Sequence, residues 1–141
     1  MRTILFVCTG NTCRSPMAAC MLNALAAEEG VCDLQAMSAG VSAEEGAPAS
    51  VGALRAMARR GLSLESHLSR PVSRKLLEAA TLVMCMGQHH VAAIRHRFPG
   101  IATPVRAFDD PPISDPFGGD DAAYERAARD IARQLRGLLH N

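Results

Sequence analysis

Short apolar runs alternate with helix-patterned stretches along the whole chain, and this alternation limits the fold more than any other feature. "TILFV" (Thr3–Val7) has the β-branched and aromatic content of a buried strand. Ser15 and Pro16 then offer an N-cap and a first-turn proline for a helix with Met17, Met21, Leu22 and Leu25 on one face, stopped by Gly30. "LQAMSAG" (Leu34–Gly40) reads as a second strand. Pro48 opens a further helix with Val51, Leu54 and Met57 on one face, ended by Gly61. Ser73 to Ala80 is a short helix, and "TLVMCM" (Thr81–Met86) is the strongest later strand. Gln88 to Phe98 is helical, and "ATPVRAF" holds a fourth strand weakened by Pro104. A Pro/Gly/Asp loop spans Asp109 to Gly119. The final helix carries Tyr124, Ala127, Ile131, Leu135 and Leu138 at spacings of three and four.

Alternating strands and helices predict an α/β fold: one three-layer sandwich over residues 1–141, with a four-stranded parallel sheet flanked by helices. At 141 residues the chain can bury one good core but not two. Ligands of such folds bind beyond the carboxyl ends of the strands, where strand order switches. That places the segment "CTGNTCRSP", Cys8 to Pro16, at the expected site.

Bulk properties remove several classes. The formal charge is +1, with a single lysine, Lys75, among the basic residues, so nothing marks a nucleic-acid surface. No apolar run approaches the ~20 residues of a membrane span. Arg2 followed by "TILFV" lacks the length and cleavage site of a signal peptide, so a cytoplasmic protein is expected. Five irregularly spaced cysteines in a reducing compartment argue against a disulfide framework. Zinc needs four close ligands, and His89, His90 and His96 lie on a predicted helix as surface side chains, so no metal or other cofactor is expected. Nothing suggests more than a monomer.

A polar turn between a strand and a helix N-terminus is a preformed anion site, in which backbone N–H groups from Thr9 onward converge and the helix dipole adds positive potential. "GNTCRSP" lacks the Gly-Lys-Ser/Thr of a nucleotide P-loop. Arg14 supplies a planar fork that can hold two phosphoryl oxygens. Cys8 at the base of this cradle is expected to have a lowered pKa and to act as a nucleophile. A thiolate that displaces an alcohol or amine from phosphorus also needs an acid for the leaving group. Asp110-Pro111 and Asp115-Pro116 supply two candidates, and a carboxyl near a bound dianion tends to keep its proton.

These residues resemble the low-molecular-weight protein tyrosine phosphatases. "CTGNTCRSP" looks like their C-x5-R-S phosphate loop and "SDPFGG" like their late acid loop, with "MSAG" (Met37–Gly40) and "SHLSR" (Ser66–Arg70) resembling two segments between. The resemblance covers nearly the whole chain. It implies that Cys8 is the nucleophile of a cysteinyl-phosphate intermediate, that Arg14 binds the phosphoryl group, and that Asp115 is the general acid and then base. Phe117-Gly118 favours Asp115 over Asp110. By the same resemblance Thr9, Gly10, Asn11, Thr12, Cys13, Ser15 and Phe117 line the substrate site. Ser15 hydrogen-bonds the Cys8 thiolate, and Asn11, Ser38 and His67 hold the loop. Cys13 matches the second loop cysteine, which can form a reversible disulfide with Cys8.

Tyrosine-selective members carry a bulky aliphatic residue where this loop has Thr12. They also have two aromatics after Asp-Pro and another aromatic in the region that here reads "VSAEEG". With one tyrosine and four phenylalanines in the chain, aromatic walls for a phenol are thin. "CTGNTCRSPMA" with "DPFGG" resembles the bacterial protein arginine phosphatases, which implies phosphoarginine-bearing proteins as substrates, with phosphotyrosine the alternative. The segment "GQHH" at 87–90 differs from the eukaryotic pattern, and no functional reading attaches to it. An arsenate reductase would need resolving cysteines after the third strand, where Cys85 stands alone; Cys20 and Cys32 fall elsewhere. A phosphocysteine carrier would have no use for a hydrolytic Asp115.

Overall fold

The computed structural model describes residues 1–140 and has one four-stranded parallel sheet. β1 (Arg2–Cys8) pairs with β2 (Leu34–Gly40) on one side and β3 (Leu82–Cys85) on the other, and β4 (Val105–Ala107) closes the edge, giving the order β2-β1-β3-β4. The helices are α1 (Arg14–Glu28), α2 (Val51–Ala58), α3 (Arg74–Ala79), α4 (Gln88–Arg97) and α5 (Asp121–Leu135), with a 3-10 turn at Arg136–Leu138. β2 lies to one side of β1 and β3 to the other, so the order reverses beside β1 and opens a crevice past Cys8.

The two-residue period of β1 divides the core. Ile4, Phe6 and Cys8 face the layer of Met17, Leu22, Met57, Tyr124 and Ile131, whereas Leu5 and Val7 face Leu77, Val91 and Ile94. Phe6 stacks on Phe108 with ring centroids 6.1 Å apart. Cys8 therefore reaches its position as a core-facing side chain, and it remains buried. No helix among the described residues is long and apolar enough to cross a membrane.

Several element boundaries differ from expectation by a residue or more, and three of the departures show their cause. α1 begins at Arg14, one residue before Ser15, and its N-cap position, Cys13, makes no side-chain cap. Pro16 still falls in the first turn, where its missing N–H leaves no bond unmade. α2 begins at Val51 because Ser50 accepts the Ala53 N–H at 3.3 Å; Pro48 instead forms a bridge with Leu68. Its buried face is Ala53, Ala56 and Met57, which turns Val51 to solvent. The last helix closes at Leu135, and Leu138 is buried from the 3-10 turn.

Candidate active site

The turn from Cys8 to Arg14 wraps a single anchor. Asn11 has the left-handed φ of 56° that short polar side chains tolerate best, and each of its polar groups is engaged. Its Nδ2 donates to Ser15 Oγ at 2.8 Å and Ser38 Oγ at 3.0 Å. Its Oδ1 accepts from the Arg70 backbone N–H at 2.9 Å, and its carbonyl accepts from His67 Nε2 at 2.7 Å. The structure thus gathers Asn11, Ser38 and His67, and adds Arg70, whose Nε donates to the Ser38 carbonyl at 3.0 Å. Gly40, beside Cys8 in the sheet register, makes this approach possible. A Cβ there would lie 2.5 Å from the Thr9 carbonyl and 2.9 Å from the Asn11 nitrogen.

Cys8 Sγ lies 2.9 Å from Ser15 Oγ, which also approaches the Ala39 carbonyl at 3.3 Å. The hydroxyl is within reach of both, and in the contact with sulfur either group can donate. The lowered pKa read from the sequence is not what the unliganded loop gives. Burial pushes the Cys8 thiol up and outweighs the Ser15 hydroxyl, the backbone N–H groups and Arg14, which all pull it down. The Ser15 hydroxyl is the largest of the lowering contributions, so Ser15→Ala should raise the Cys8 pKa further. Site-resolved alkylation of Cys8 against pH would then move its midpoint to higher pH; an unmoved midpoint contradicts the contact.

Arg14 is buried at the start of α1. Its Nη1 donates to the Ile113 carbonyl at 2.9 Å, and its Nη2 sits 3.7 Å from Asp115 Oδ2. The stretch from Ile113 to Asp115 is therefore fastened to the Cys8-to-Arg14 turn through one guanidinium. Asp115 Oδ1 accepts the Phe117 N–H at 3.1 Å. Cys8, Thr9, Gly10, Thr12, Cys13, Arg14, Asp115 and Phe117 line one cavity of about 230 Å³. Asp110 is absent from it, its backbone tied instead to Gln134 and Arg133. No three His, Cys, Asp or Glu side chains among the described residues gather as metal ligands would.

Several neighbours were not legible as site residues. The Cys13 thiol donates to Ser50 Oγ at 3.3 Å and lies 3.5 Å from the Tyr124 hydroxyl. His90, expected at the surface, has no exposure and meets Thr9 Oγ1 through Nε2 at 3.0 Å. Its helix periodicity gave no sign, because His90 turns inward behind the loop while its neighbours Gln88 and His89 stay exposed. Cys85 is buried in β3, its thiol pushed up to about 12 by burial and by its proximity to Cys8.

A parallel α/β sheet whose first strand delivers a buried cysteine into a C-x5-R anion loop, with an aspartate fastened to the arginine, defines a cysteine-based phosphatase. The chain belongs to the low molecular weight phosphotyrosine protein phosphatase family, whose model matches residues 3–141. It is 34% identical to a protein-arginine-phosphatase of Bacillus subtilis, over 96% of this chain and 93% of that protein. It is 40% identical to a protein-arginine-phosphatase of Geobacillus stearothermophilus, over 94% of this chain and 89% of that protein. Among solved structures, a cysteine-to-serine mutant of the YwlE arginine phosphatase, with a phosphorylated active-site serine, superposes with a TM-score of 0.91. The two share 33% identity over 97% of this chain and 93% of that one.

Proposed function

We propose that this phosphatase acts on phosphoarginine side chains of proteins, without a metal, through a cysteinyl-phosphate on Cys8. One observation carries the substrate class. Thr12 is half-buried on the cavity wall, and Phe117, itself 72% exposed, is the one aromatic side chain there. Tyr124 is turned away, buried against Cys13 and Gly52. A phenol ring gains from stacked walls, whereas a guanidinium gains from acceptors, and here Thr12 and Asp115 supply them. The names of the two curated relatives support the same class.

The chemistry runs in two displacements. Cys8 Sγ attacks phosphorus as the thiolate, its proton passed to a phosphoryl oxygen of the bound substrate. The P–N bond breaks, and the guanidine nitrogen leaves with a proton from Asp115. Arg14, steadied through the Ile113 carbonyl, presents its remaining N–H groups to the phosphoryl oxygens as their charge builds. Asp115 then takes a proton from water, whose oxygen attacks phosphorus. The P–S bond breaks, and the departing thiolate receives the Ser15 hydroxyl. Cys13 lines the same cavity, and in this reading it forms the reversible disulfide with Cys8 when an oxidant such as peroxide removes two electrons.

Matched phosphoarginine and phosphotyrosine peptides test the substrate class. Wild type should prefer phosphoarginine, and Thr12→Ile should shift the ratio of kcat/KM values toward phosphotyrosine by about tenfold or more. Unchanged preference in the variant removes Thr12 from the argument. A wild type that prefers phosphotyrosine makes the protein a phosphotyrosine phosphatase.

A further inference from the structure

Among the described residues, His90 is the one buried side chain with a polar atom left over. Its ring has no exposure, Nε2 lies 3.0 Å from Thr9 Oγ1, and Nδ1 has no hydrogen-bond partner. Gly87 is the neighbouring backbone: its carbonyl accepts the His90 backbone N–H at 3.2 Å and lies close enough to act on the ring, but Nδ1 has no hydrogen bond of good geometry to it. His89 covers His90 with ring centroids 3.9 Å apart. Glycine at 87 gives that stack room, since a Cβ there would sit 3.1 Å from the His89 ring. This is the segment "GQHH".

From this arrangement we propose that His90 is a positioning residue: its Nε2–H donates to Thr9 Oγ1 and so leaves the Thr9 hydroxyl proton free to donate to an oxyanion in the cavity. The proposal builds on the reading of the loop as a phosphoryl cradle. Thr9 lines the cavity, and its carbonyl is pinned by the Ser42 N–H at 2.9 Å, so the residue is held at both ends. His67 fastens the Asn11 carbonyl from the other side, and two histidines thus brace one loop.

The tautomer follows from the orphan atom. A neutral imidazole carries one N–H, and a buried unpaired lone pair costs less than a buried unpaired N–H. Placing the proton on Nε2 leaves only the lone pair of Nδ1 unmet. The ring is also held neutral. Burial lowers the His90 pKa to about 4, and nearby His89 and Arg14 act in the same direction against weaker pulls from Gly87 and Asp115. With the Thr9 oxygen already accepting, its O–H has no better target than a bound anion.

Calorimetric titration with inorganic phosphate reads this without turnover, so a protein inactive on every phosphopeptide would still report on it. His90→Leu and Thr9→Val should each bind phosphate about tenfold more weakly than wild type. The double variant should be no weaker than Thr9→Val alone. His90→Gln, whose amide N–H reaches the Nε2 position, should recover most of the loss. Wild-type phosphate affinity in His90→Leu, losses that add in the double variant, or no recovery by glutamine overturns the proposal. Should His90→Leu fail to fold, the wild-type ring decides by nitrogen NMR: Nε2–H supports the assignment and Nδ1–H overturns it.

Discussion

Cys8→Ser should lower turnover by on the order of 10⁴-fold or more while phosphate binding survives. The two halves of this result come from different atoms. In the proposed mechanism binding belongs to the loop N–H groups and to Arg14, which is anchored by the Ile113 carbonyl and not by sulfur. Rapid attack in that mechanism belongs to the sulfur, even though the serine of the YwlE mutant carries a phosphoryl group. A serine hydroxyl ionises far less readily than a thiol, and burial at this position disfavours the anion further. Ser15 stabilises a thiolate that has already formed, and it cannot make an alkoxide at neutral pH. Loss of phosphate binding together with activity would instead mean that the substitution had collapsed the loop. Retained activity would remove Cys8 as nucleophile.

Asp115→Asn should cut kcat on phosphoarginine by about 10²- to 10³-fold and leave KM within a few-fold. An amide keeps the shape of the side chain and the hydrogen bond from the Phe117 N–H but has no acidic proton to give. The penalty should shrink for an aryl phosphate whose leaving group departs as an anion, since that step asks little of an acid. Asp110→Asn should behave as wild type, because Asp110 lies outside the cavity. Equal losses from both aspartates, or an equal penalty on both kinds of leaving group, would contradict the assignment. Steady-state kinetics with the two substrates measures it.

How much of this was legible in the sequence depends on where the partner atoms lie. β1 declared itself by its apolar run, and the Cys8-to-Arg14 spacing declared the anion loop, because both are local. Asp115 could be singled out from Asp110 only through the residues after it, whereas the structure separates them by position. Ser15 reads locally as a helix cap, yet its hydroxyl serves Cys8 and Asn11, and capping propensity cannot distinguish the two uses. Ser50 and Tyr124 meet Cys13 from 37 and 111 residues away, a convergence that no window reveals. His90 was hidden for a similar reason. The polar first turn of α4 reads as a solvated face, and Gln88 and His89 are one, but His90 turns in behind the loop. The Cys8 pKa shows the same division: the sequence displays the groups that lower it, and only the fold displays the burial that raises it.

The central claim is a phosphoryl group carried on Cys8 and then given to water. Asp115→Asn, supplied with an aryl phosphate, should form that intermediate readily and lose it slowly, since the second step lacks its base. Quenching a single turnover in denaturant and sequencing the peptides by mass spectrometry should find the phosphoryl group on Cys8, with wild type passing it on as inorganic phosphate. A phosphoryl group on any other side chain, phosphate release with Cys8 unmodified throughout, or a wild-type adduct that never yields phosphate would contradict the account.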